Sequence, residues 1–439
     1  MKIPERPPKV EKDYSYGAVL ADLIKIDKFR DFFEINDNKY PYWDKWKYIA
    51  KEWHYDPQKL WSAVKSTRHG NRLYFSSPYE FIMNAPSIVQ QHLHEFDMNL
   101  GGSLQGESII PSQDKNRYLI SSLMEEAIAS SQLEGAVTTR KLAKEMLETN
   151  RKPRNSSEQM IVNNYEAMKW IASNKELRFT PENILRLHSM ITNNTLSRKE
   201  EEGIFRKDDE VNVVDVQTGN IIYKPPSHEQ VDRLIHSFCV FANDKDKQVF
   251  FIHPVSKAII LHFLIGYIHP FADGNGRTAR TIFYWYLLKK GYWLIEYMSV
   301  SRVILHAKAQ YARAYLYTEI DDNDLTYFII YNIKCIKTAL DDLKKYVERK
   351  VAEKRNALSL LRNNTFNERQ IVLLQEMIHD QDTYYTVDQI EKWFNISNQT
   401  ARNDLNSLVE AGLLEFRRAG KKIHYFPVKD FSVKINKRP

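Results

Sequence analysis

His269-Pro270-Phe271-Ala272-Asp273-Gly274-Asn275-Gly276-Arg277-Thr278-Ala279-Arg280 is the stretch on which the reading of the chain turns. Upstream, Ala258 to Ile268 is an apolar run of helical length, and downstream Thr281 to Lys290 reads as a second apolar helix. The loop between them holds two glycines and an asparagine, which tolerate φ > 0 and let backbone N–H groups point one way. Such a loop opening a helix is an anion site, because the orphan N–H groups and the dipole both favour negative charge. Arg277 and Arg280 fall in the first turns of that helix. The macrodipole disfavours cations there by about 0.3–1 kcal/mol each, so an anionic partner is expected. Three apart, the two share a face and suit adjacent phosphates as planar donors. Asp273 is a hard oxygen ligand fit for Mg²⁺ between phosphates, and His269 can take a proton near neutral pH. The residues alone read as a polyphosphate–Mg²⁺ cradle with a general base at its lip.

A chain of 439 residues has room for two or three domains. Its 43% hydrophobic and 27% charged residues are ordinary for a soluble protein, and a net charge of +7 permits nucleic-acid contact without arguing for it. Cys239 and Cys335 stand far apart with no metal-ligand spacing, which suggests buried thiols in a reducing compartment. Met1 to Lys12 is charged and proline-rich, unlike a secretory signal. The longest apolar run, Ala258 to Phe271, is too short to span a bilayer. A cytoplasmic protein is expected.

Along the chain, residues 1 to about 30 read as a polar, extended arm. Tyr40 to Arg68 suggests short amphipathic helices with Trp43, Trp46, Trp53 and Trp61 in the core. Phe81 to Met98 reads as a helix, as does Arg117 to Ala129, which leads into Ser130-Ser131-Gln132-Leu133-Glu134-Gly135. Ser130 and Glu134 share a helical face, and Gly135 is a natural stop. Helices follow at Glu158–Asn174 and Pro181–Thr192, capped by Asn155 or Ser156 and by Thr180. Val211 to Tyr223 forms a hairpin turning at Gln217-Thr218-Gly219-Asn220. Val231 to Ala242 is helical, His253 starts the helix that feeds the signature, and Ser299 to Thr318 reads as one helix. Leu325 to Asn356 is a long helix whose charged later part is a solvated strut. From Thr365, helices at Arg369–His379, Thr386–Phe394 and Asn398–Ala411 precede strands at Leu413–Phe416 and Lys422–Phe426. That order resembles a winged helix-turn-helix. Asn398, Gln399, Thr400, Arg402 and Asn403 would face DNA grooves, and Arg417, Arg418, Lys421 and Lys422 would load the wing.

The opening stretch resembles the signature of the Fic family, His-x-Phe-x-Asp/Glu-Gly-Asn-Gly-Arg-x-x-Arg, at every defining position. The resemblance covers roughly residues 110 to 340. It implies a mainly α fold: a helical bundle with a β-hairpin flap, plus the small winged helix-turn-helix domain. The domains expected are an N-terminal helical region (1–109), a Fic-like catalytic domain (110–345) with an inhibitory helix at about 115–135, a linker helix end (346–364) and the winged-helix domain (365–439). By resemblance, His269 would deprotonate a target hydroxyl and Asp273 would hold Mg²⁺. Gly274, Asn275 and Gly276 would form the anion hole, Arg277 would meet the β-phosphate and Arg280 the γ-phosphate. Thr278 and Ala279 belong to the same nucleotide-binding stretch, and Tyr311 is the choice for an adenine contact. The run Ser130 to Gly135 resembles the family's inhibitory motif, Ser/Thr-x-x-x-Glu-Gly/Asn, with Glu134 pairing with Arg280.

The implied activity is protein adenylyl transfer (AMPylation) from ATP to a Ser, Thr or Tyr hydroxyl. Gly276 argues against the kinase members, which depart from Gly-Asn-Gly. Two alternatives stand beside it: removal of AMP at the same site with Glu134 orienting water, and a DNA-binding regulator whose Fic-like domain senses ATP. Expected partners are target proteins docked on the flap at about 211–223 and the chain itself by auto-modification. DNA through 397–425 and a homodimer remain open, and no membrane is expected.

Overall fold

The computed structural model describes residues 3–9, 15–68, 70–101, 115–214, 219, 221–246, 250–362, 366–379, 383–419 and 422–431. The fold is mainly α, and the chain divides into two units, Met1–Leu343 and Lys344–Pro439.

In the first unit, apolar residues at spacings of three and four form α1 (Tyr16–Lys25), α2 (Phe29–Asn38), α3 (Trp43–Glu52) and α4 (Pro57–Thr67). The first two correct the expectation of an extended arm to about residue 30. Val19, Leu23 and Phe32 are buried, so burial of an apolar face overrides the polar composition. Trp43, Trp46 and Trp61 lie in the core as expected, whereas Trp53, at the C-terminal end of α3, is only partly buried. Strands β1 (Asn71–Ser76) and β2 (Tyr79–Met83) pair antiparallel before α5 (Ser87–Leu100). They replace the first turns of the helix expected from Phe81. Pro86 keeps the residue before it out of the α region, so α5 starts only at Ser87.

Helices α6 (Lys115–Leu133), α7 (Arg140–Glu148), α8 (Ser156–Ser173) and α9 (Pro181–Thr192) follow. Asn155 and Thr180 cap α8 and α9, accepting from the N–H groups of Glu158 and Asn183. Strands β3 (Val213–Val214) and β4 (Ile221–Tyr223) form the expected hairpin. Of its expected turn and flank, residues 215–218 and 220 lie outside the described residues. Next come α10 (Val231–Ala242), α11 (Pro254–Ile268) and α12 (Asn275–Lys289). His253 caps α11, its Nδ1 accepting from the Val255 N–H at 3.2 Å. Apolar residues cover every face of α11 and nearly all are buried; it packs on α12 as the centre of the unit. The single helix expected over Ser299–Thr318 is two, α13 (Val300–His306) and α14 (Lys308–Ile320), because Ala307 leaves helical geometry at φ −136°, ψ 40°. Helix α15 (Thr326–Arg362) is longer than expected.

In the second unit, α16 (Glu368–His379), α17 (Val387–Phe394) and α18 (Asn398–Glu410) precede strands β5 (Leu414–Ala419) and β6 (Lys422–Pro427), a winged helix. Thr386 and Gln389 form a capping box on α17, left-handed Asn395 turns the chain, and Ser397 caps α18. Leu373, Leu374, Ile390, Leu405, Leu408 and Leu414 fill its core. Gly420 and Lys421 of the expected wing tip lie outside the described residues.

A buried cation joins the N-terminal helices to α15. Arg68 donates from Nε to Asn36 (2.8 Å), from Nη1 to the Tyr327 hydroxyl (2.7 Å) and from Nη2 to the Pro41 carbonyl (2.8 Å). Tyr327 and Tyr40 pass the contact on to the carboxylates of Asp321 (2.8 Å) and Asp324 (2.6 Å). Removing the guanidinium would strand all of these groups. Arg68→Ala is expected to destabilise the first unit by about 3 kcal/mol in denaturant titrations, with Arg68→Lys recovering only part because it lacks the planar fork.

Candidate active site

The helical hairpin α11–α12 closes through the signature loop, and its two hinge residues are left-handed: His269 at φ 50° and Gly274 at φ 82°. Histidine rarely adopts that conformation, so its surroundings must hold it there. Arg206 does so. Its Nε donates to the His269 carbonyl (2.9 Å) and its N–H to the Pro270 carbonyl (2.9 Å). Its Nη1 donates to the Asp208 carbonyl (2.8 Å) and the Asp209 carboxylate (2.9 Å), and its Nη2 to the Pro226 carbonyl. One side chain thus fastens the turn at His269 to both roots of the β3–β4 hairpin. The His269 Nδ1 lies 3.1 Å from the Gly266 carbonyl and donates to it, which leaves the Nε2 lone pair free. Burial pushes the His269 pKa below its ordinary value, so the ring is a neutral base at pH 7.

Asn275 spends its side chain on the loop itself. Its Oδ1 accepts from the Phe271 N–H (3.0 Å) and its Nδ2 donates to the Phe271 carbonyl (2.8 Å), leaving only its backbone for a ligand. From α9, His188 donates from Nε2 to the Asp273 carbonyl (2.8 Å), accepts the Gly203 N–H at Nδ1 (3.1 Å), and stacks on Phe271 with ring centres 3.7 Å apart. A side chain at 274 would strike Thr192 at 2.8 Å, a second reason for glycine there. The Asp273 carboxylate accepts the Gly274 N–H at 2.5 Å and is 62% exposed, so it faces solvent at the mouth of the loop.

The arginines are unequally satisfied. Arg280 donates from Nε to the Ser130 hydroxyl (2.9 Å), and from Nη2 to the Ser130 carbonyl (2.9 Å) and Glu134 Oε1 (2.8 Å). Burial works to raise the Glu134 pKa, but Arg280, helped by Arg277, overrides it and holds the carboxyl ionised. Arg277 is wholly buried, yet its Nη1 bonds only to the Ile191 carbonyl (3.1 Å). Its Nε and Nη2 have no hydrogen-bond partner among the described residues, the nearest carboxylate oxygen being on Asp273 at 3.7 Å. The Thr278 hydroxyl also has no hydrogen-bond partner among the described residues, and Ala279 is packed in the core.

Glu134 also lies against the loop: a Cβ at Gly276 would meet its Oε1 at 2.2 Å. The carboxylate therefore covers the backbone of the anion loop as well as gripping Arg280. Helix α6 is set for this by Glu126, one face-repeat before Ser130. Its Oε2 accepts from the Tyr284 hydroxyl (2.8 Å), the Ser299 hydroxyl (3.0 Å) and the Ser301 N–H (3.0 Å). Gly135, at φ 92°, then ends the helix. Tyr311 packs behind Arg280, with its hydroxyl 2.7 Å from Nε2 of His262, a ring that burial keeps neutral with a pKa lowered to about 3.

The loop thus brings together His269, Asp273, Gly274, Gly276, Arg277, Arg280, Ser130 and Glu134. Sequence reasoning missed His188, Arg206 and Glu126 as supports. Arg206 could have been found as a cation inside Gly203-Ile204-Phe205-Arg206; His188, amid the apolar face of α9, looks like any core position.

Burial lowers the His188 pKa to about 4. In the unfolded chain the ring takes up a proton near pH 6.5, so the stability it lends is complete above that and drains away as pH falls toward 4. His188→Gln is expected to remove about 3 kcal/mol of that acid-side loss, seen as a flatter dependence of unfolding free energy on pH between about 6.5 and 4.

Residues 178–287 match the Fic/DOC family, and residues 370–421 match a DeoR-like helix-turn-helix domain. Among curated relatives, the chain is similar to Protein adenylyltransferase Fic of Aedes aegypti, 29% identical over 179 residues, 40% of this chain and 32% of that protein. It is similar as well to Protein adenylyltransferase Fic of Nematostella vectensis, 27% identical over 117 residues, 27% of this chain and 25% of that one. The matched part is thus about a quarter to a third of those relatives. A solved Fic family protein from Desulfovibrio desulfuricans aligns at 17% identity and a TM-score of 0.49, covering 77% of this chain and 94% of that one. Residues 178–287 of this chain are accordingly a domain of the Fic/DOC family, and residues 370–421 a DeoR-like helix-turn-helix domain.

Proposed function

We propose that the chain is a protein adenylyltransferase held in check by Glu134. The observation that carries this reading is the wholly buried Arg277 at the start of α12, two of whose donors have no hydrogen-bond partner among the described residues, beside a loop covered by the Glu134 carboxylate. Buried donors without partners at a helix N-terminus are a place prepared for an anion, and phosphates match the planar guanidinium. The similarity to proteins named protein adenylyltransferase points to ATP as the phosphate donor.

On this reading the Nε2 of His269 accepts the proton of a target Ser, Thr or Tyr hydroxyl. The oxygen attacks the α-phosphorus of ATP, a P–O bond forms, the bond to the β-phosphate oxygen breaks, and pyrophosphate leaves. Arg277 and the N–H groups opening α12 hold the β-phosphate. Arg280, once released by Glu134, takes the γ-phosphate. No group of three or more His, Cys, Asp or Glu among the described residues could hold a metal by itself. Exposed Asp273, a hard oxygen ligand, would hold a Mg²⁺, which would supply positive charge to offset that of the phosphates. The exposed strand residues Val214 and Ile221 suit alignment of a target segment by strand addition. Two buried free thiols accord with a cytoplasmic setting.

A second reading concerns the C-terminal unit alone and is favoured by its DeoR-like match. Asn398, Gln399, Arg402 and Asn403 are exposed at the start of α18, and Arg417 and Arg418 on β5, an arrangement suited to a groove and its phosphates.

With α-labelled ATP, Mg²⁺ and lysate, Glu134→Gly is expected to label protein about tenfold or more above wild type, and His269→Ala to fall about 100-fold below Glu134→Gly. An unlabelled Glu134→Gly, even on itself, would sink the transferase reading and favour removal of AMP. In gel shifts on random duplex DNA, binding that falls steeply with salt and weakens in Arg402→Ala is expected if the C-terminal unit contacts DNA; no shift at low salt excludes it.

A further inference from the structure

A second cavity, of about 750 Å³, opens between α2, α3, α14 and α15, and none of its lining residues belongs to the loop from His269 to Arg280. That volume is within the range of small-molecule sites. Its wall is aromatic: Tyr42 and Tyr317 stack with ring centres 4.0 Å apart, and Tyr48, 64% exposed, stands at the edge. Lys39, Lys45, Arg313 and Lys334 also line it, one from each of four separate stretches of chain. Their side chains make no ion pair with any described residue. Two carboxylates, Asp44 and Glu52, stand against these four cations, so the cavity is net positive. Asp44 adds a polar group that the fold leaves unused. Its Oδ2 accepts from the Tyr317 hydroxyl at 2.7 Å, but its Oδ1 is buried and has no hydrogen-bond partner among the described residues.

Each feature narrows the occupant. The tyrosine wall takes a flat ring. A buried carboxylate oxygen without a donor calls for an N–H group, such as the exocyclic amine of a nucleobase. Convergent unpaired cations call for several negative charges. We infer that this cavity is a second nucleotide site, taking a nucleoside polyphosphate with its base at Asp44 and its phosphates at Lys39, Lys45, Arg313 and Lys334. The four cations are exposed and repel one another only weakly through water, so the weight falls on the buried Asp44 oxygen beneath them, which a merely solvated basic face would not need. Gln310, Arg313, Ala314 and Tyr317 of α14 form one wall, while Tyr311 on the same helix reaches His262 behind Arg280. A ligand here would therefore bear on the helix that backs the first site. The inference does not depend on the adenylyl-transfer reading.

The test is nucleotide binding to the full-length chain by equilibrium dialysis without a protein target. The probes are ATP, GTP, CTP, UTP and inorganic tripolyphosphate, on wild type, Lys45→Glu/Arg313→Glu, Asp44→Asn and Arg277→Gln. At least one nucleoside triphosphate is expected to bind wild type and Arg277→Gln alike, and about tenfold or more weakly to the double reversal. Asp44→Asn, which keeps an oxygen for Tyr317, is expected to change the preference among bases while leaving the melting temperature near wild type. Nucleotide bound only through Arg277, unaffected by the double reversal, would overturn the site. So would tripolyphosphate binding as tightly as the nucleotides, which marks a general anion patch, or an unchanged base preference in Asp44→Asn. Absence of transferase activity in Glu134→Gly with this binding intact would count against the first-site reading alone.

Discussion

Two guanidinium groups are buried in the first turns of α12, the end of a helix that already carries partial positive charge, and the site is arranged around that cost. Each needs an anion. Arg280 has found one in Glu134, which requires α6 to end at Leu133, Gly135 to turn left-handed and position 276 to carry no side chain. Arg277 has found none closer than 3.7 Å. The loop's other fastenings leave this capacity intact. Arg206 and His188 bond to loop carbonyls, and Asn275 to the backbone of Phe271, so the loop is held rigid without consuming the donors that face the first site. A carboxylate over one arginine and an unmet demand at the other describe a site partly filled from within.

Much of this is legible in the sequence. The apolar helices around the loop, the left-handed glycines and the shared face of Ser130 and Glu134 follow from residue type and spacing, which are local. What escaped was decided by distant partners. His188 sits at a position of α9 indistinguishable by periodicity from Leu187 or Ile191, and only the approach of Asp273 and Gly203 turns it into a support. Arg68 likewise carries no mark in the sequence beyond closing the stretch from Tyr40, whereas Asn36, Pro41 and Tyr327 converge to bury it. In the N-terminal helices the prolines and charges before them mask the apolar face of Val19, Leu23 and Phe32, which burial against the rest of the unit makes decisive. The hairpin before α5 was signalled by Ser77-Pro78 and the alternation through Leu73 and Phe75, short cues that a helical reading from Phe81 overrode. The break at Ala307 has no marker in side-chain chemistry.

How Glu134 could yield is constrained by how α6 is held. Glu134 is the last contact of a helix fastened elsewhere: Glu126 takes hydrogen bonds from Tyr284, Ser299 and Ser301, Ser122 donates to the Tyr297 carbonyl, and Lys308 reaches the Gln132 carbonyl. Withdrawing the whole helix would break all of these and strand a buried carboxyl. Withdrawing one side chain breaks only its contacts with Arg280 and the loop, and the Glu134 side chain, 29% exposed, lies at the edge of solvent. On the proposed reading, then, release is a change of rotamer at the end of an anchored helix, and the exchange of carboxylate for phosphate leaves Arg280 paired before and after. The linkage is reciprocal: a partner that draws Glu134 outward strengthens phosphate binding by the factor by which phosphate favours that partner. An unrestrained loop would expose both arginines at once, so the carboxylate that competes with the ligand also keeps the empty site from holding two unpaired buried charges.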